Sequence, residues 1–396
     1  MKDLEEKYHE HLLHWIWQTL HFDAGNLETT CGQPVTILEP GRLNSSGGPD
    51  FKEARLQIGD LRWHGDIEFH WSVADWRRHG HQHDSGYNQV ILHVVYQNPD
   101  GKRAYRQDGS APFLLHLRPH LPENLEELLA AFRQPDRLPC AGQLRYISRE
   151  ALEQQFRKAH REYFETKADA LLNFYDPDLA PATAWKKVFS LGLFDGLGIS
   201  LNREPMLRVG RRLYNHVLQE ETFPAVEELQ FLALQFGGFG SARSAARWSY
   251  KGVRPANRPK IRLQQAATLM GTIHHEPLDA WFKGTPSDRW ERLLNTVDTE
   301  TGIGRQRSDI LYGIVYLPAL WLLGTLFHID RLKQRAFELW MNHRAQVPST
   351  LFKLFAQSDF PPDLYKQRLG AVFQLKQYCK PRRCSQCKVL KEIISS

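Results

Sequence analysis

The sequence predicts an α+β protein with an α/β core at the N-terminus and a mainly α-helical region after it. Short β-branched or alternating runs between residues 34 and 118, separated by Gly, Asn, Asp and Pro, predict the strands of the core. Apolar residues at helical spacing precede these runs and return from about residue 122 almost to the end of the chain. The predicted organisation is a core over 1–120, a linker over 121–145 and a helical domain over 146–396.

The elements of the core follow one another along the chain. A helix is expected over 3–21, where Leu12, Leu13 and Ile16 lie near helical spacing. Gly59-Asp60 separates two apolar runs and is typical of a hairpin turn. The expected strands lie at 34–38, 54–58, 61–71, 89–97 and 112–118, with a helical stretch near 74–88.

Composition excludes several classes of protein. The chain has 396 residues and five cysteines, an odd number that argues against a secreted disulfide framework. The net charge of +6 permits a polyanionic partner but does not demand one. Residues 1–7 are too charged for a signal peptide, and the uncharged run 310–327 is interrupted by Pro318, which favours a buried core helix over a membrane span. We therefore expect a cytoplasmic protein without a membrane partner.

Residues 61–71 carry the strongest functional signal, because apolar and polar residues alternate along them. On a strand, Asp66, Glu68 and His70 share one face with Arg62 and His64, and the intervening residues form the apolar face. A solvated face would more commonly carry Lys, Thr and Ser. Two carboxylates and two imidazoles on one face indicate metal coordination or acid–base chemistry.

A second acid precedes this strand. Gly47-Gly48-Pro49-Asp50 opens the preceding strand, and its glycines and proline hold Asp50 in a defined orientation. No Gly-Lys-Ser/Thr follows the glycines, so they do not form a phosphate-binding P-loop. Asp50, Asp66 and Glu68 are expected to converge across a hairpin on a hard divalent cation, Mg²⁺ or Mn²⁺.

These residues resemble a known signature. Pro49-Asp50, then seventeen residues, then Glu68-Phe69-His70 resembles the PD-(D/E)xK nuclease motif, and the element order agrees with that superfamily. The resemblance implies that Asp50 and Glu68 bind the metal and that His70 occupies the position of the catalytic lysine. An imidazole accepts a proton but is not a fixed cation, so this substitution departs from the family pattern.

Histidines cluster after the strand. The segment 79–84 reads His-Gly-His-Gln-His-Asp, and six of the eighteen histidines fall between 64 and 93. Such a density of nitrogen ligands suggests Zn²⁺, Mn²⁺ or Fe, and the segment is similar to a metallo-β-lactamase motif with its last two residues exchanged. The alternative is that these histidines bind no metal and form only local hydrogen bonds and helix caps. We expect His81, Asp84 and His93 to lie next to the metal ligands and to orient them through hydrogen bonds.

The longer motifs are similar to one specific family. They are GRLNSSGGPDF, HGDIEFHWSVADWRRHGHQHD, YNQVILHVV, RPANRPKIRLQQ and YCKPRRCSQCK. Together they resemble a bacterial family of unassigned function, over nearly the whole chain. The resemblance implies a shared architecture and supplies no activity.

A basic stretch predicts contact with nucleic acid. Residues 240–275 contain no acid and combine cations with aromatic side chains, which suits phosphate contacts with base stacking. The alternative is that these cations pair with acidic helices elsewhere. The residues expected to bind are Arg247, Trp248, Lys251, Arg254 and Arg258.

Three cysteines near the C-terminus predict a structural metal site. Cys379, Cys384 and Cys387 form a Cys-x4-Cys-x2-Cys motif among lysines and arginines. A fourth ligand is required, and Cys140 is the first choice, ahead of Cys31. Such a set resembles the iron–sulfur sites of some RecB-type nucleases, so zinc and an iron–sulfur cluster are both open. The alternative is that the three cysteines bind no metal and are simply packed within a terminal helix.

The sequence therefore predicts a metal-dependent phosphodiesterase acting on DNA or RNA, with Asp50, Glu68 and His70 as catalytic residues. One alternative is a nucleic-acid-binding protein on a nuclease-like scaffold without turnover. Another is a different metallohydrolase centred on His79, His81 and His83.

Overall fold

The computed structural model describes most of the chain. The described residues are 2–44, 46–97, 102–121, 132, 137–138, 140–141, 144, 147–240, 247–251, 253–297, 302–381 and 383–389. The chain divides into two compact units: unit 1 comprises 1–156, 349–365 and 371–396, and unit 2 comprises 157–348 and 366–370. Neither unit is continuous in sequence. Most of the predicted linker lies outside the described residues.

Unit 1 contains one six-stranded sheet. Its strands are β1 (Val35–Glu39), β2 (Arg42–Leu43), β3 (Phe51–Ile58), β4 (Leu61–Ser72), β5 (Val90–Gln97) and β6 (Phe113–His116). They are ordered β1-β3-β4-β5-β6, with β2 also paired to β3. The pairs from β1 to β4 are antiparallel, and β4-β5 and β5-β6 are parallel. The sheet is therefore mixed.

The loops between neighbouring strands explain why the sheet is antiparallel up to β4 and parallel after it. Gly59 has a φ of +58°, which a glycine tolerates, and the predicted turn joins β3 to β4 with Ile58 opposite Leu61. A parallel partner needs a crossover. The crossover from β4 to β5 contains helix α2 (Ala74–Arg78) and two short 3₁₀ turns, His81–His83 and Ser85–Tyr87. The predicted helical stretch near 74–88 is thus confirmed as short helical pieces.

Helix α1 (Lys2–Thr19) packs on the apolar face of this sheet. Burial of its apolar side chains against the sheet, about 25 cal/mol per Å², is the main stabilising term. The alternation predicted on β4 is confirmed, since Ile67 and Phe69 are buried in this core. The opposite face of β4 changes along its length, because Arg62 and His64 are exposed whereas Asp66, Glu68 and His70 are buried.

Unit 2 and the remaining segments are helical. The further helices are α3 (Arg149–Leu172), α4 (Pro181–Leu197), α5 (Ile199–Val217), α6 (Val226–Phe236), α7 (Pro259–His275), α8 (Pro286–Leu294), α9 (Arg305–Leu311), α10 (Leu317–Leu326), α11 (Asp330–Asn342), α12 (Lys353–Gln357), α13 (Pro362–Tyr365) and α14 (Leu369–Phe373). The prediction of an α+β protein with a helical C-terminal region is confirmed.

One helical run is long and apolar enough to cross a membrane. It spans Arg305–Leu326 among the described residues and includes the π-helical segment Tyr312–Tyr316. Two-thirds of its apolar window is buried inside the protein. Leu317 and Leu320 lie in the core of unit 2, as expected of a core helix.

Candidate active site

The register of β3 against β4 brings the two predicted catalytic carboxylates together. Phe51 pairs with Ile67 and both face the core, so the neighbouring Asp50 and Glu68 lie side by side on the other face. The backbone N–H of Asp50 donates to Oε2 of Glu68 at 3.0 Å, and the N–H of Phe69 donates to Oδ2 of Asp50 at 2.9 Å. Each carboxylate is thus oriented by the backbone of the other strand.

Glu68 is in an unfavourable position for a negative charge. Only 5% of the residue is exposed. Burial, the charge of Asp50 and that of Glu10 raise the pKa of Glu68 to about 9, against smaller opposing effects of a backbone hydrogen bond and Lys52. Burial and the neighbouring negative charges therefore favour the protonated form of Glu68.

Asp66 lies on the same face but has a different set of partners. Lys52 Nζ donates to Oδ2 of Asp66 at 2.8 Å, and the N–H of Glu53 donates to Oδ1 at 3.2 Å. A bulge in β3 makes both contacts possible, because Glu53 has a φ of +59° and the register shifts between Phe51 and Ala54. Among the described residues, Asp66 does not form a close three-ligand group with Asp50 and Glu68.

Helix α1 supplies an imidazole to the site. His14 Nε2 lies 3.0 Å from Oδ2 of Asp50, and its ring packs edge-on against Phe51 and Phe69. In the described part of the chain, this buried nitrogen has no partner in hydrogen-bond geometry.

A network of imidazoles lies beside Glu68. His70 is fully buried, with Nδ1 2.9 Å from Nε2 of His93 and Nε2 3.1 Å from Nδ1 of His79. Burial, together with the neighbouring His93, His81 and His79, lowers the pKa of His70 well below its usual value. Burial inside the network therefore favours the neutral form of the His70 ring, whereas the role that the resemblance implies for this position is that of a fixed cation.

His81 connects this network to the carboxylates. Its Nε2 lies 3.2 Å from Oε1 of Glu68, with no partner in hydrogen-bond geometry among the described residues. The ring stacks on Tyr87 at 3.8 Å between centroids, and burial lowers the pKa of His81 to about 4. One ligand atom from each of His70, His79 and His81 lies within 4.8 Å of the other two.

The remaining residues of the cluster are less central. His93 is buried, and burial lowers its pKa to about 3. Asp84 is exposed and accepts a hydrogen bond from the N–H of Gly86, capping a 3₁₀ turn. His83 is exposed and lies outside the three-histidine group.

Comparison with known proteins gives one match. The model of a family described as a protein of unknown function, DUF2851, matches residues 10–243, which is more than half of the chain. The chain belongs to the DUF2851 family. The match covers all the residues of the site described above and ends before the C-terminal cysteines. No curated protein and no solved structure matches the chain.

The basic segment of this DUF2851 protein lies in unit 2. Arg247, Lys251, Arg254 and Arg258 are exposed. Trp248 is half-buried, and its indole N–H donates to the carbonyl of Gly237 at 2.8 Å. Trp248 thus has a packing role in addition to any contact with a base.

The four predicted cysteine ligands of the DUF2851 chain come together in unit 1. Cys140, Cys379, Cys384 and Cys387 all line one small cavity, although more than 200 residues separate the first from the others. Cys31 is exposed and does not line this cavity.

Two site residues of the DUF2851 chain were not predicted from sequence. Lys52 follows Asp50 at the spacing i, i+2, and this Asp-x-Lys pattern on a strand would have placed both side chains on one face. His14 lies on an amphipathic helix, and nothing in its local sequence distinguishes it from His11 or His21.

Proposed function

We propose that this chain is a metal-dependent phosphodiesterase that cleaves nucleic acid. The observation that carries the proposal is the convergence of Asp50 and Glu68 on one partly buried polar surface. The charge of Asp50 disfavours ionisation of Glu68, and a divalent cation between the two groups would offset this cost. Such a cation would also neutralise charge on the oxygens of a phosphodiester and activate water for its hydrolysis.

The donor atoms present fit a metal ion. Asp50 and Glu68 would be the carboxylate ligands, and the nitrogens of His14 and His81 lie 3.0 and 3.2 Å from their oxygens without hydrogen-bond partners in the described chain. A mixed set of oxygen and imidazole donors suits Mn²⁺ better than Mg²⁺, which prefers oxygen. When bound, the ion would lower the pKa of a water molecule and neutralise charge on the phosphate.

Lys52 is the residue that we assign the role of the catalytic lysine. It lies two residues after Asp50, its side chain is about one-third exposed, and Asp66 holds its ammonium group. A fixed cation in this position orients the attacking water or neutralises the developing charge on the phosphate. The buried, neutral His70 is then a positioning residue, because its hydrogen bonds hold His79 and His93 in place.

The topology of unit 1 also supports the proposal. The helix, three antiparallel strands, crossover and parallel strand follow in the order that the PD-(D/E)xK resemblance implies. Asp50 immediately precedes β3 and Glu68 lies on the adjacent strand β4, an arrangement that the motif implies. The substrate would be DNA or RNA. The exposed cations of the basic segment in unit 2 are a separate candidate surface for nucleic-acid phosphates.

Cleavage assays test the proposal directly. The purified chain is incubated with Mn²⁺ and with single- and double-stranded DNA and RNA. We expect Glu68→Gln to reduce cleavage at least about 100-fold, because the variant loses a carboxylate ligand of the metal that would activate the attacking water. Glu53→Gln is the control, since this exposed glutamate on the neighbouring strand β3 pairs with Arg42. Cleavage by the Glu68 variant at the wild-type rate would refute the proposal.

A second candidate is a metallohydrolase centred on the histidines. The close approach of His70, His79 and His81 favours it, with His70 replacing the predicted His83. In that case His79→Ala would abolish metal binding, whereas Asp50→Asn would retain it. The inactive binding protein remains the third candidate, and salt-dependent nucleic-acid binding without cleavage would support it.

A further inference from the structure

The cavity lined by the four cysteines of unit 1 lies outside the candidate active site. Cys140 precedes helix α3, whereas Cys379, Cys384 and Cys387 lie in the C-terminal segment. The walls of the cavity are otherwise mostly apolar, with Phe156, Phe360 and Val389 among them. Four thiols that meet in an apolar cavity from distant parts of the chain are a set of soft metal ligands.

The spacing of the sulfur atoms distinguishes between two kinds of centre. A tetrahedral zinc ion with bonds of about 2.3 Å holds its four sulfurs roughly 3.8 Å apart. Among the described residues, only His70, His79 and His81 bring three candidate ligand atoms within 4.8 Å of one another. At least one of any three of these sulfurs would therefore have to move closer for all three to surround one zinc ion. An iron–sulfur cluster spreads its cysteines further apart, because its own iron and sulfide atoms lie between them.

The cavity that the four sulfurs line is larger than a single atom. The cavity has a volume of about 40 Å³, and one water molecule needs only about 10–15 Å³ on the same measure. Because the walls are mostly apolar, the cavity offers water few hydrogen-bond partners. A cavity of this volume offers more room than a single ion needs, as a multi-atom inorganic core would require.

A buried chain of amides points a hydrogen-bond donor at the sulfurs. The N–H of Lys388 donates to Gln155 Oε1 at 2.9 Å, and Gln155 Nε2 donates to Gln374 Oε1 at 2.8 Å. These bonds fix the orientation of the Gln374 amide. Its Nε2 then lies 3.4 Å from Sγ of Cys379 and 3.9 Å from Sγ of Cys387. Donors to cysteine sulfur stabilise its negative charge and set the reduction potential of a cluster.

We propose that Cys140, Cys379, Cys384 and Cys387 hold an iron–sulfur cluster. Each thiol loses its proton to solvent as its sulfur binds iron, and the iron and sulfide come from the cell's cluster-assembly proteins. The cluster joins the C-terminal segment to the part of unit 1 that contains Cys140. It also lies close to the N-terminal core, because Thr19 of α1 lines the cavity and Cys384 packs against that core.

Metal analysis of the full chain tests this proposal. The protein is purified without oxygen, and iron, acid-labile sulfide and zinc are measured per chain. We expect iron and sulfide in equal amounts, with visible absorption from the iron–thiolate bonds. Zinc without sulfide would replace the cluster with a zinc site and overturn the proposal, as would the absence of both metals.

Variants identify the ligands. We expect C140S and C384S to lose at least about four-fifths of the iron, a loss that follows from the removal of one of four ligands. C31S is the control, because this exposed cysteine does not line the cavity, and it should retain all the iron. Equal iron in C140S and the wild type would exclude Cys140 as a ligand and overturn the four-cysteine site.

Gln374→Leu provides a test that does not require a ligand to be removed. The variant loses the donor to Cys379 and Cys387, so we expect the cluster to be retained with a more negative reduction potential. A redox titration followed by electron paramagnetic resonance measures the change. An unchanged potential would contradict the proposed position of the cluster beside Gln374.

Discussion

Lys52 and Asp66 form an ion pair on adjacent strands, with Nζ of the lysine 2.8 Å from Oδ2 of the acid. The pair exists because the bulge at Glu53 turns this part of β3 toward Asp66. The Asp66 side chain is 11% exposed and the Lys52 side chain 37% exposed, so the ammonium group lies at the edge of the site, where a substrate has access to it.

The first prediction concerns the role of Lys52. We expect Lys52→Met to lower kcat for nucleic-acid cleavage about 100-fold or more, because a preorganised charge beside the reacting phosphate is lost. The Kd for Mn²⁺ should change less than about threefold, since the lysine is not a ligand. The measurement is single-turnover cleavage together with calorimetric titration of Mn²⁺.

Lys353→Met is the matched control for this variant, because Lys353 is exposed on α12 of the same unit. It should leave both quantities unchanged. A Lys52 variant that cleaves at the wild-type rate would show that Lys52 has no catalytic role. His70, His79 and His81 would then be the next residues to test.

The second prediction concerns stabilisation by metal. A ligand that binds only the folded protein raises the free energy of unfolding by about 2.7 kcal/mol at a concentration of 100 Kd. We expect Mn²⁺ to raise the Tm of the wild type, and Asp50→Asn and Glu68→Gln to abolish this increase. Differential scanning fluorimetry with and without Mn²⁺ measures it.

Asp108→Asn is the control for this experiment, since Asp108 is exposed and accepts hydrogen bonds from Ser110. It should show the wild-type increase in Tm. An unchanged increase in both site variants would place the metal elsewhere, and the three-histidine group would be the next position to test.

Much of the fold follows from local patterns in the sequence. The alternation along β4 and the turn at Gly59-Asp60 together determine which face of the strand is polar. That register places Asp50 beside Glu68, so the two acids were predictable as a pair. The element order from α1 to β5 was predictable for the same reason.

Other features depend on interactions that a sequence pattern does not contain. A bulge with a non-glycine residue at positive φ, as at Glu53, has no local signature, so the contact of Lys52 with Asp66 was missed. The grouping of residues 371–396 with 1–156 depends on contacts across more than 200 residues. The burial of His70 depends on the crossover segment that contains His79 and His81.

The third prediction concerns the pH dependence of stability through His160 in unit 2. Its Nε2–H donates to the carbonyl of Trp340 at 2.9 Å, and its Nδ1 accepts from the N–H of Gly370 at 3.0 Å. The bond that Nδ1 accepts needs a neutral ring, because a protonated Nδ1 cannot accept a hydrogen bond. Burial is the main reason that the pKa of His160 is lowered from 6.5 to about 4.

The sign of the effect follows from where the proton binds. Between pH 6.5 and about 4 the unfolded chain binds a proton at His160 that the folded protein excludes. The free energy of unfolding therefore falls as the pH is lowered through this range. Between pH 7 and pH 5 we expect His160 to contribute a loss of about 2 kcal/mol.

Urea unfolding of the wild type and of His160→Gln at both pH values measures this contribution. Glutamine offers a donor and an acceptor but does not titrate in this range, so the loss should be smaller by about 2 kcal/mol in the variant. His64→Gln replaces an exposed histidine and should not reduce the loss. The same loss in His160→Gln as in the wild type would show that this ring titrates normally.

The last prediction concerns Gly65, where β4 packs closely against the backbone of Gln89 just before β5. A Cβ atom at this position would lie 2.5 Å from the carbonyl oxygen of Gln89 and 2.6 Å from Cγ2 of Ile91. The register of the two strands shifts next to this point, between Asp66 and Ile67, and the glycine makes room for the extra residue of β5. Gly65→Ala therefore forces β5 away from the strand that carries Glu68.

We expect Gly65→Ala to lose about 1–3 kcal/mol in the free energy of unfolding and to bind Mn²⁺ more weakly. Gly47→Ala is the control, since a Cβ there meets no atom within 4 Å. Equal stability of the two variants in urea would show that the strands relax at no cost and that the spacing at Gly65 does not position the site.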